Sequence, residues 1–282
     1  MIDINYNTCI NCKACVKICP VSIFFEKDGS IALRYKDSCI VCGHCVGVCP
    51  TSSVEHSDFP ASKVHKIDRA ELPSPDQLML LIKSRRSNRA MSKNPVPEDK
   101  LRMILEAAHR APTAENSQLI GFTVVTGAEK IRSISRFTID TFSRVQKILA
   151  NPFVKPVLKP FMRPVFKMIP VFERLKKSFE KGNDGIMRKS TAVIFITSSK
   201  KNRFAAADAN LAYQNASLMA ESLGVAQFYM GFVMAAVNTG DEEKLRKMLG
   251  IDGYIYAAMA LGMPEVKFQN YIDRKDIEVS FR

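Results

Sequence analysis

Apolar residues recur along this chain at two periods, and the change of period divides it into elements. Ser74, Pro75 and Gln77 have the identities of an N-cap, a first helical residue and the return arm of a capping box. Leu78, Leu81 and Ile82 behind them predict a helix facing a core. Leu101, Ile104, Leu105 and Ala108 stand at i, i+3, i+4 and i+7, which predicts a second helix beginning near Pro97. The pattern then shortens to period two. Ile120, Phe122 and Val124 alternate within Leu119 to Thr126, and the β-branched run Thr191 to Ser198 reads as a central strand. Asp208 to Leu223 is rich in Ala, Leu and Met nearly all round and stops at Gly224, so it reads as a fully buried helix with a glycine C-cap. Val225 to Tyr229 reads as a strand, Thr239 to Leu249 as a helix with a Thr239/Glu242 capping box, and Tyr254 to Leu261 as an inner strand.

Two stretches lack either period. From His56 to Asp76, prolines and charges read as a linker, set at residues 61–75 between a module of residues 1–60 and a larger domain of residues 76–282. Within the larger domain, residues 137–187 form a basic, Pro-rich insertion. In it Pro152-Phe-Val-Lys155, Pro156-Val-Leu-Lys159, Pro160-Phe-Met-Arg163 and Pro164-Val-Phe-Lys167 repeat a proline, two apolar residues and a cation. A proline every four residues removes helical donors, so this segment is expected to be extended or broken into single turns. It would serve as a lid, a docking surface for an acidic partner, a peripheral membrane contact or a dimer arm.

The formal net charge of the 282 residues is +13, and it is unevenly placed. Residues 1–60 hold five Lys/Arg and six Asp/Glu, whereas residues 141–190 hold twelve Lys/Arg against three Asp/Glu. The basic stretch carries no nucleic-acid-binding signature, so no nucleic-acid partner is expected. With no signal peptide before Met1-Ile2-Asp3 and no run of eighteen apolar residues, a reducing, cytoplasmic setting is expected.

All eight cysteines fall in residues 1–60 as two copies of one pattern: Cys9, Cys12, Cys15, Cys19-Pro20 and Cys39, Cys42, Cys45, Cys49-Pro50. Disulfides would need an oxidising compartment, and zinc sites use separated CxxC pairs. The doubled CxxCxxCxxxCP run resembles that of a bacterial ferredoxin with two [4Fe-4S] clusters, in which the fourth cysteine of each run serves the other cluster. The resemblance implies that Cys9, Cys12, Cys15 and Cys49 hold one cluster, and Cys39, Cys42, Cys45 and Cys19 the other.

In the larger domain, Arg85-Arg86-Ser87-Asn88-Arg89 groups guanidiniums with a hydroxyl, a set suited to phosphate or to a polarised flavin edge, although a basic pentapeptide is more often a solvated helix end. RRSNR followed by NPVPEDKLRMILEAAHRAPTAENSQ resembles the opening of the FMN-dependent nitroreductase family. Asp208 to Gly231, Leu261-Gly262-Met263-Pro264 and Arg274-Lys275 resemble its later segments. With the cysteine module, the whole is similar to ferredoxin-nitroreductase fusions. The resemblance implies an α+β fold: a two-cluster ferredoxin module, then a mixed sheet flanked by helices, in a homodimer. It also implies FMN held by Arg85, Arg86, Ser87 and Arg89, with Arg274 completing a phosphate clamp. Thr113, Asn116 and Gln118 would reach the flavin from the other subunit, and Gly231 would bring backbone to its ring edge. Leu119-Ile120-Gly121 stands where the family has Pro-Trp, and Asn270 where a basic residue is common.

No Ser/His/Asp set or carboxylate pair stands out, so no catalytic acid is named and the proton is left to solvent. The expected activity is an iron-sulfur flavoprotein oxidoreductase passing electrons from the clusters to FMN and on to a nitroaromatic, quinone or activated alkene. The donor would be ferredoxin or NAD(P)H, the latter without a GxGxxG fingerprint. The alternatives are a relay to a protein partner and a membrane- or partner-docking adaptor.

Overall fold

The computed structural model describes residues 1–161 and 163–282, which separate into two units: Met1–Pro73 with Thr113–Gln118, and Ser74–Pro112 with Leu119–Arg282. The first unit repeats itself. It runs β1 (Ile2–Ile4), α1 (Ala14–Ile18), β2 (Phe24–Lys27), β3 (Ser30–Leu33), α2 (His44–Val48) and β4 (Val54–His56), with α2 thirty residues after α1. β1 and β4 pair antiparallel, Ile2 opposite His56, and β2 and β3 form a hairpin through Asp28 and Gly29, both at positive φ as a primed two-residue turn requires. Left-handed residues also open the two short helices, Lys13 and Gly43. Glycine is needed at the second, because a Cβ there would stand 3.1 Å from the Phe59 ring. Ile2, Ile4, Ile23, Phe24, Ile31 and Val54 fill the small core, and Cys15 and Cys45 are packed into it.

The second unit continues with α3 (Pro75–Ser84), α4 (Glu98–His109), β5 (Gly121–Thr126), α5 (Ala128–Ala150), α6 (Val154–Leu158), α7 (Arg163–Glu180), β6 (Ala192–Ser198), α8 (Ala205–Ser222), β7 (Ala226–Tyr229), α9 (Gly231–Ala236), α10 (Glu242–Leu249) and β8 (Tyr254–Gly262). Its sheet has the order β5-β6-β8-β7. The α+β expectation holds with a refinement: these strands pair antiparallel throughout rather than as a mixed sheet, since β8 runs against both its neighbours. Alternation sorts the side chains. Val193, Phe195, Ala258 and Ala260 join a core with Ile134, Phe137 and Phe142 of α5, while Ile194, Ile196, Met259 and Leu261 join another with Ile104 of α4 and Ala209, Ala212, Ala216 of α8. Two cores on opposite faces explain why β6 is buried along its whole length.

Several local readings are corrected. The Ser74–Gln77 capping box is formed, yet α3 buries no residue, and Leu80 is 58 % exposed. α8 is not buried all round: small residues line its buried face, and Leu211 on the outer face is 46 % exposed. Thr239 and Glu242 do not form a capping box. Gly240 at φ 104° widens the turn, so the Thr239 hydroxyl donates to the Ala236 carbonyl, and the Glu242 carboxylate accepts from Ile255 N–H. The proline-cation repeat is helical rather than extended, although broken. α6 is a single turn, and α7 carries Pro164 in its first turn, where a missing N–H costs nothing, and Pro170 inside. Met162, in the third copy of the repeat, lies outside the described residues. Residues 137–142 belong to α5, whose Phe142 stacks on Phe172 of α7 with ring centroids 4.1 Å apart.

Candidate functional site

The eight thiols of the first unit divide between two cavities. One is lined by Cys9, Cys12, Cys15 and Cys49, the other by Cys39, Cys42, Cys45 and Cys19. Each cavity therefore takes three cysteines from one run and the last from the other, because α1 and α2 pack together and each delivers its following cysteine across the pair. Backbone N–H groups point at the sulfurs: Ser53 N at Cys49 Sγ (3.2 Å), Ile23 N at Cys19 Sγ (3.4 Å) and Val41 N at Cys39 Sγ (3.4 Å). Burial pushes the Cys45 thiol up to about 11 and raises Cys15 as well. At Cys49 burial also works against the thiolate, but N–H groups of Val54, Ser53 and Thr51 outweigh it and the thiol is held below its ordinary range. Four soft sulfurs with N–H donors aimed at them suit an iron-sulfur cluster.

The segment Thr113–Gln118 groups with this cysteine-rich unit. Glu115, Asn116 and Gln118 all have positive φ, and Thr113 Oγ1 accepts from Gln118 N–H at 3.0 Å. The Asn116 amide donates to the carbonyls of Val41 (2.8 Å) and Ile40 (3.3 Å), inside the loop between Cys39 and Cys42.

In the second unit Arg85 closes α3, its N–H donating to Leu81 O, and Arg86, Ser87 and Asn88 follow half-buried. Arg86 is held from two directions: its Nη2 donates to Ile272 O at 3.2 Å, and its carbonyl accepts from Gln227 Nε2 at 3.2 Å. Asn88 Nδ2 donates to Val266 O at 2.8 Å, so the RRSNR loop and the chain after β8 are bound to each other. Arg274 itself is exposed, two residues beyond that Arg86 contact. Arg89 lies over the Phe228 ring at 5.8 Å and lines a cavity of about 340 Å³ with Gly185, Ile186, Arg188, Phe228, Met230 and Gly231. Gly231 opens α9, and a Cβ there would meet nothing within 4 Å, so its backbone is approachable. Arg89 and Arg188 also border a cavity of about 1030 Å³ reaching Lys93, Arg132 and Lys189.

This arrangement can hold a flat, anionic molecule, with two guanidiniums for its oxygens and aromatic and aliphatic walls for its faces. Sequence reasoning brought Arg89 and Gly231 to the cavity. It missed Arg188, which reaches it from the loop after α7, and Gln227, which is buried in β7. Gln227 bonds Arg86 O, the Tyr213 hydroxyl (2.8 Å to Oε1) and Ser217 Oγ (3.1 Å to Nε2). A glutamine in the apolar run Val225 to Tyr229 was the available signal, since a buried amide needs partners. Burial pushes the Tyr213 hydroxyl upward despite the nearby charges of Arg85 and Arg89, so it stays a neutral donor. Glu221 is likewise raised by burial, with the Arg86 N–H and the Arg85 charge opposing.

Comparison with known proteins bears on both units. The nitroreductase family matches residues 82–263, and the 4Fe-4S dicluster domain matches residues 8–54. Solved structures resemble the fold at low identity. A nitroreductase with bound FMN from Bacteroides fragilis is 20% identical, with 73% of this chain and 99% of that one covered and a TM-score of 0.53. A nitroreductase with bound FMN from Desulfitobacterium hafniense is 20% identical, covering 72% and 97%, with a TM-score of 0.54. An FMN-dependent nitroreductase from Clostridium difficile is 18% identical, covering 74% and 100%, with a TM-score of 0.53. No curated protein matches the chain.

Proposed function

The chain belongs to the nitroreductase family, and from that premise we propose that it is an iron-sulfur flavoprotein oxidoreductase with two [4Fe-4S] clusters and FMN, delivering electrons to a nitroaromatic, quinone or activated alkene. The observation that carries the reading is the pairing, on one chain, of two crossed four-cysteine cavities with a cavity bordered by Arg89, Arg188 and Gly231. Clusters carry single electrons, whereas bound FMN supplies two-electron chemistry, so the combination converts one to the other. The FMN-bound relatives support the choice of flavin.

The protein's own groups would do the rest. Arg89 and Arg188, which line the cavity, would neutralise phosphate or pyrimidine oxygens, and Arg85, Arg86 and Ser87 of the same loop, with Arg274 from the C-terminal tail, would complete the set. Gln227 fixes the Arg86 carbonyl, and Phe228 and Met230, which line the cavity, would keep water from a bound flavin. Thr113, Asn116 and Gln118 would face the flavin of a partner subunit. Exposed Leu78, Met79, Leu80 and Ile82 on α3 support a homodimer, because burying such a side chain is worth about 1.5–3 kcal/mol. Thiolate ligands favour a reducing, cytoplasmic setting.

The test is anaerobic reduction of purified holoprotein with NADH, NADPH or reduced ferredoxin, following cluster and flavin absorbance separately, then adding a nitroaromatic or quinone. Cluster bleaching, then flavin bleaching, then reoxidation by the acceptor is expected; a preparation without FMN overturns the reading. Reduction without reoxidation by any small acceptor points to the protein relay.

One observation favours an additional membrane contact. Phe153, Val157 and Phe161 are 86 %, 63 % and 84 % exposed at four-residue spacing, with Lys155 and Lys159 between them. Apolar residues interleaved with cations suit an anionic lipid surface, although no helix among the described residues is long and apolar enough to cross a membrane. Pelleting with phosphatidylserine vesicles should fall when Phe153 and Phe161 become serine; unchanged pelleting removes this contact.

A further inference from the structure

The two halves of the cysteine-rich unit repeat at thirty-residue intervals, yet their sulfurs meet different donors. His56 Nε2 lies 3.6 Å from Cys39 Sγ, and His56 is only 8 % exposed. The other ring nitrogen is engaged, because Asp58 N–H donates to Nδ1 at 3.1 Å and the Asp58 carboxylate stands 3.3 Å from it. While Asp58 N–H donates to it, Nδ1 accepts, and the neutral ring then carries its hydrogen on Nε2, where the N–H faces the Cys39 sulfur. The ring is fixed by Phe59, centroids 5.0 Å apart, and by the pairing of His56 with Ile2.

Among the described residues, no imidazole stands at the sulfurs of the other half. Thirty residues before His56 stands Glu26, an exposed carboxylate paired with Lys13 at 2.7 Å. Cys9, the counterpart of Cys39, has the Asn11 side-chain oxygen at 3.8 Å. A hydroxyl does approach the first cavity, Thr51 Oγ1 at 3.8 Å from Cys49 Sγ, but Ser53 Oγ competes for it at 2.7 Å. The second cavity is also held from outside: Asn116 grips the Ile40 and Val41 carbonyls while Val41 N–H stays on Cys39 Sγ.

We propose that His56 is a positioning residue that raises the reduction potential of the cluster held by Cys39, Cys42, Cys45 and Cys19 above that of its twin. Reduction adds negative charge that spreads onto the thiolates, and an N–H aimed at a thiolate stabilises the reduced form more than the oxidised one. A local donor can thus separate two clusters whose ligand sequences are the same. The proposal rests on the two-cluster reading of the module.

The test is a redox titration of anaerobically reconstituted full-length protein, followed by electron paramagnetic resonance, for the wild type, His56→Phe and His56→Gln. In His56→Phe the upper wave should move down by roughly tenfold in its reduction equilibrium, about 59 mV for one electron, while the lower wave stays. His56→Gln keeps an N–H donor and should recover part of the shift. Two unmoved waves, two waves moving together, or a Gln variant identical to Phe overturns the proposal. Should His56→Phe lose iron, wild-type protein with ¹⁵N-histidine decides: a nitrogen hyperfine coupling to a reduced cluster that persists in His44→Ala supports it, and no coupling overturns it. A wild type that binds no pair of four-iron clusters fails the module reading instead, a result distinct from these.

Discussion

In the cysteine-rich unit, the N–H groups aimed at cysteine sulfurs come from two to four residues along the chain: Val41 to Cys39, Ile23 to Cys19, Ser53 to Cys49. In the sheet-bearing unit, Arg86 is held by Gln227 and Ile272, 141 and 186 residues away in sequence. The first site is written largely in spacing: tight left-handed turns aim most of the sulfurs locally, and one contact, α1 against α2, brings in the last cysteine of each cavity. The second exists only when β7, the RRSNR loop and the tail after β8 have come together. Substitution in the first site should therefore remove a ligand outright, whereas in the second it should loosen a framework by degrees.

The largest effect expected is loss of a whole cluster. Cys19→Ala and Cys39→Ala, twenty residues apart, should each remove the same cluster and leave the Cys9, Cys12, Cys15, Cys49 site loaded, because the two cysteines line one cavity. Iron analysis and the resonance spectrum of the remaining cluster check this; loss of different clusters in the two variants would break the crossed arrangement. Next in size is Arg89→Ala in the cavity with Gly231. A charge-assisted hydrogen bond is worth about 1.5–3 kcal/mol, so FMN affinity should fall roughly ten- to a hundredfold, read by recovery of flavin fluorescence on dilution.

The same contrast explains how much could be read in advance. The thirty-residue cysteine repeat made the module legible because its turns are local, whereas the crossed division between the cavities came from the ferredoxin resemblance and depends on α1 packing against α2. α4, β6 and β8 were legible for a related reason: their periods report which face is buried, and β6 is apolar on both faces because a core lies on each side. The readings that missed lacked a partner in the sequence. Leu78, Leu81 and Ile82 have a helical period, but a period does not say whether one chain supplies the covering surface, and α3 buries none of them. Thr239 and Glu242 have the identities of a capping box, yet a positive φ at Gly240 between them sends both side chains elsewhere. The proline repeat was legible in part: α6 is a single turn, as a broken run predicts, whereas the longer α7 was not foreseen, because a proline in a first turn gives up an N–H that has no helical partner anyway. Arg188 had no local pattern to announce it, and Gln227 was marked only by standing as an amide in the apolar run Val225 to Tyr229.

A smaller, structural effect should follow from Gln227→Leu. The amide is buried and serves Tyr213, Ser217 and the Arg86 carbonyl, so leucine fills the space but leaves that carbonyl and the Tyr213 hydroxyl unpaired. A buried unsatisfied polar group costs about 1–3 kcal/mol, which denaturant unfolding of the apoprotein would measure. Flavin affinity should weaken less than in Arg89→Ala, because Gln227 reaches the cavity only through the loop. Equal losses would mean that the loop backbone, rather than the guanidinium, makes the main contact.

The smallest effect concerns Glu221, which faces the same loop through the Arg86 N–H. Burial raises its carboxyl above the ordinary range, and the Arg86 N–H and Arg85 charge offset this only in part. A raised folded-state value means that the native protein binds more protons than the unfolded chain between the two values. The carboxyl's favourable contribution is therefore complete below its unfolded value near 4.3 and is lost as pH rises through the folded value. Glu221→Gln keeps an oxygen for the Arg86 N–H and has no charge to desolvate. The variant should match the wild type in acid and be slightly more stable at neutral pH, with the gap opening as pH rises through the carboxylate range. Thermal unfolding across that range reads the sign: a variant less stable at neutral pH would show that the Glu221 charge supports Arg85 and Arg86 by more than its burial costs.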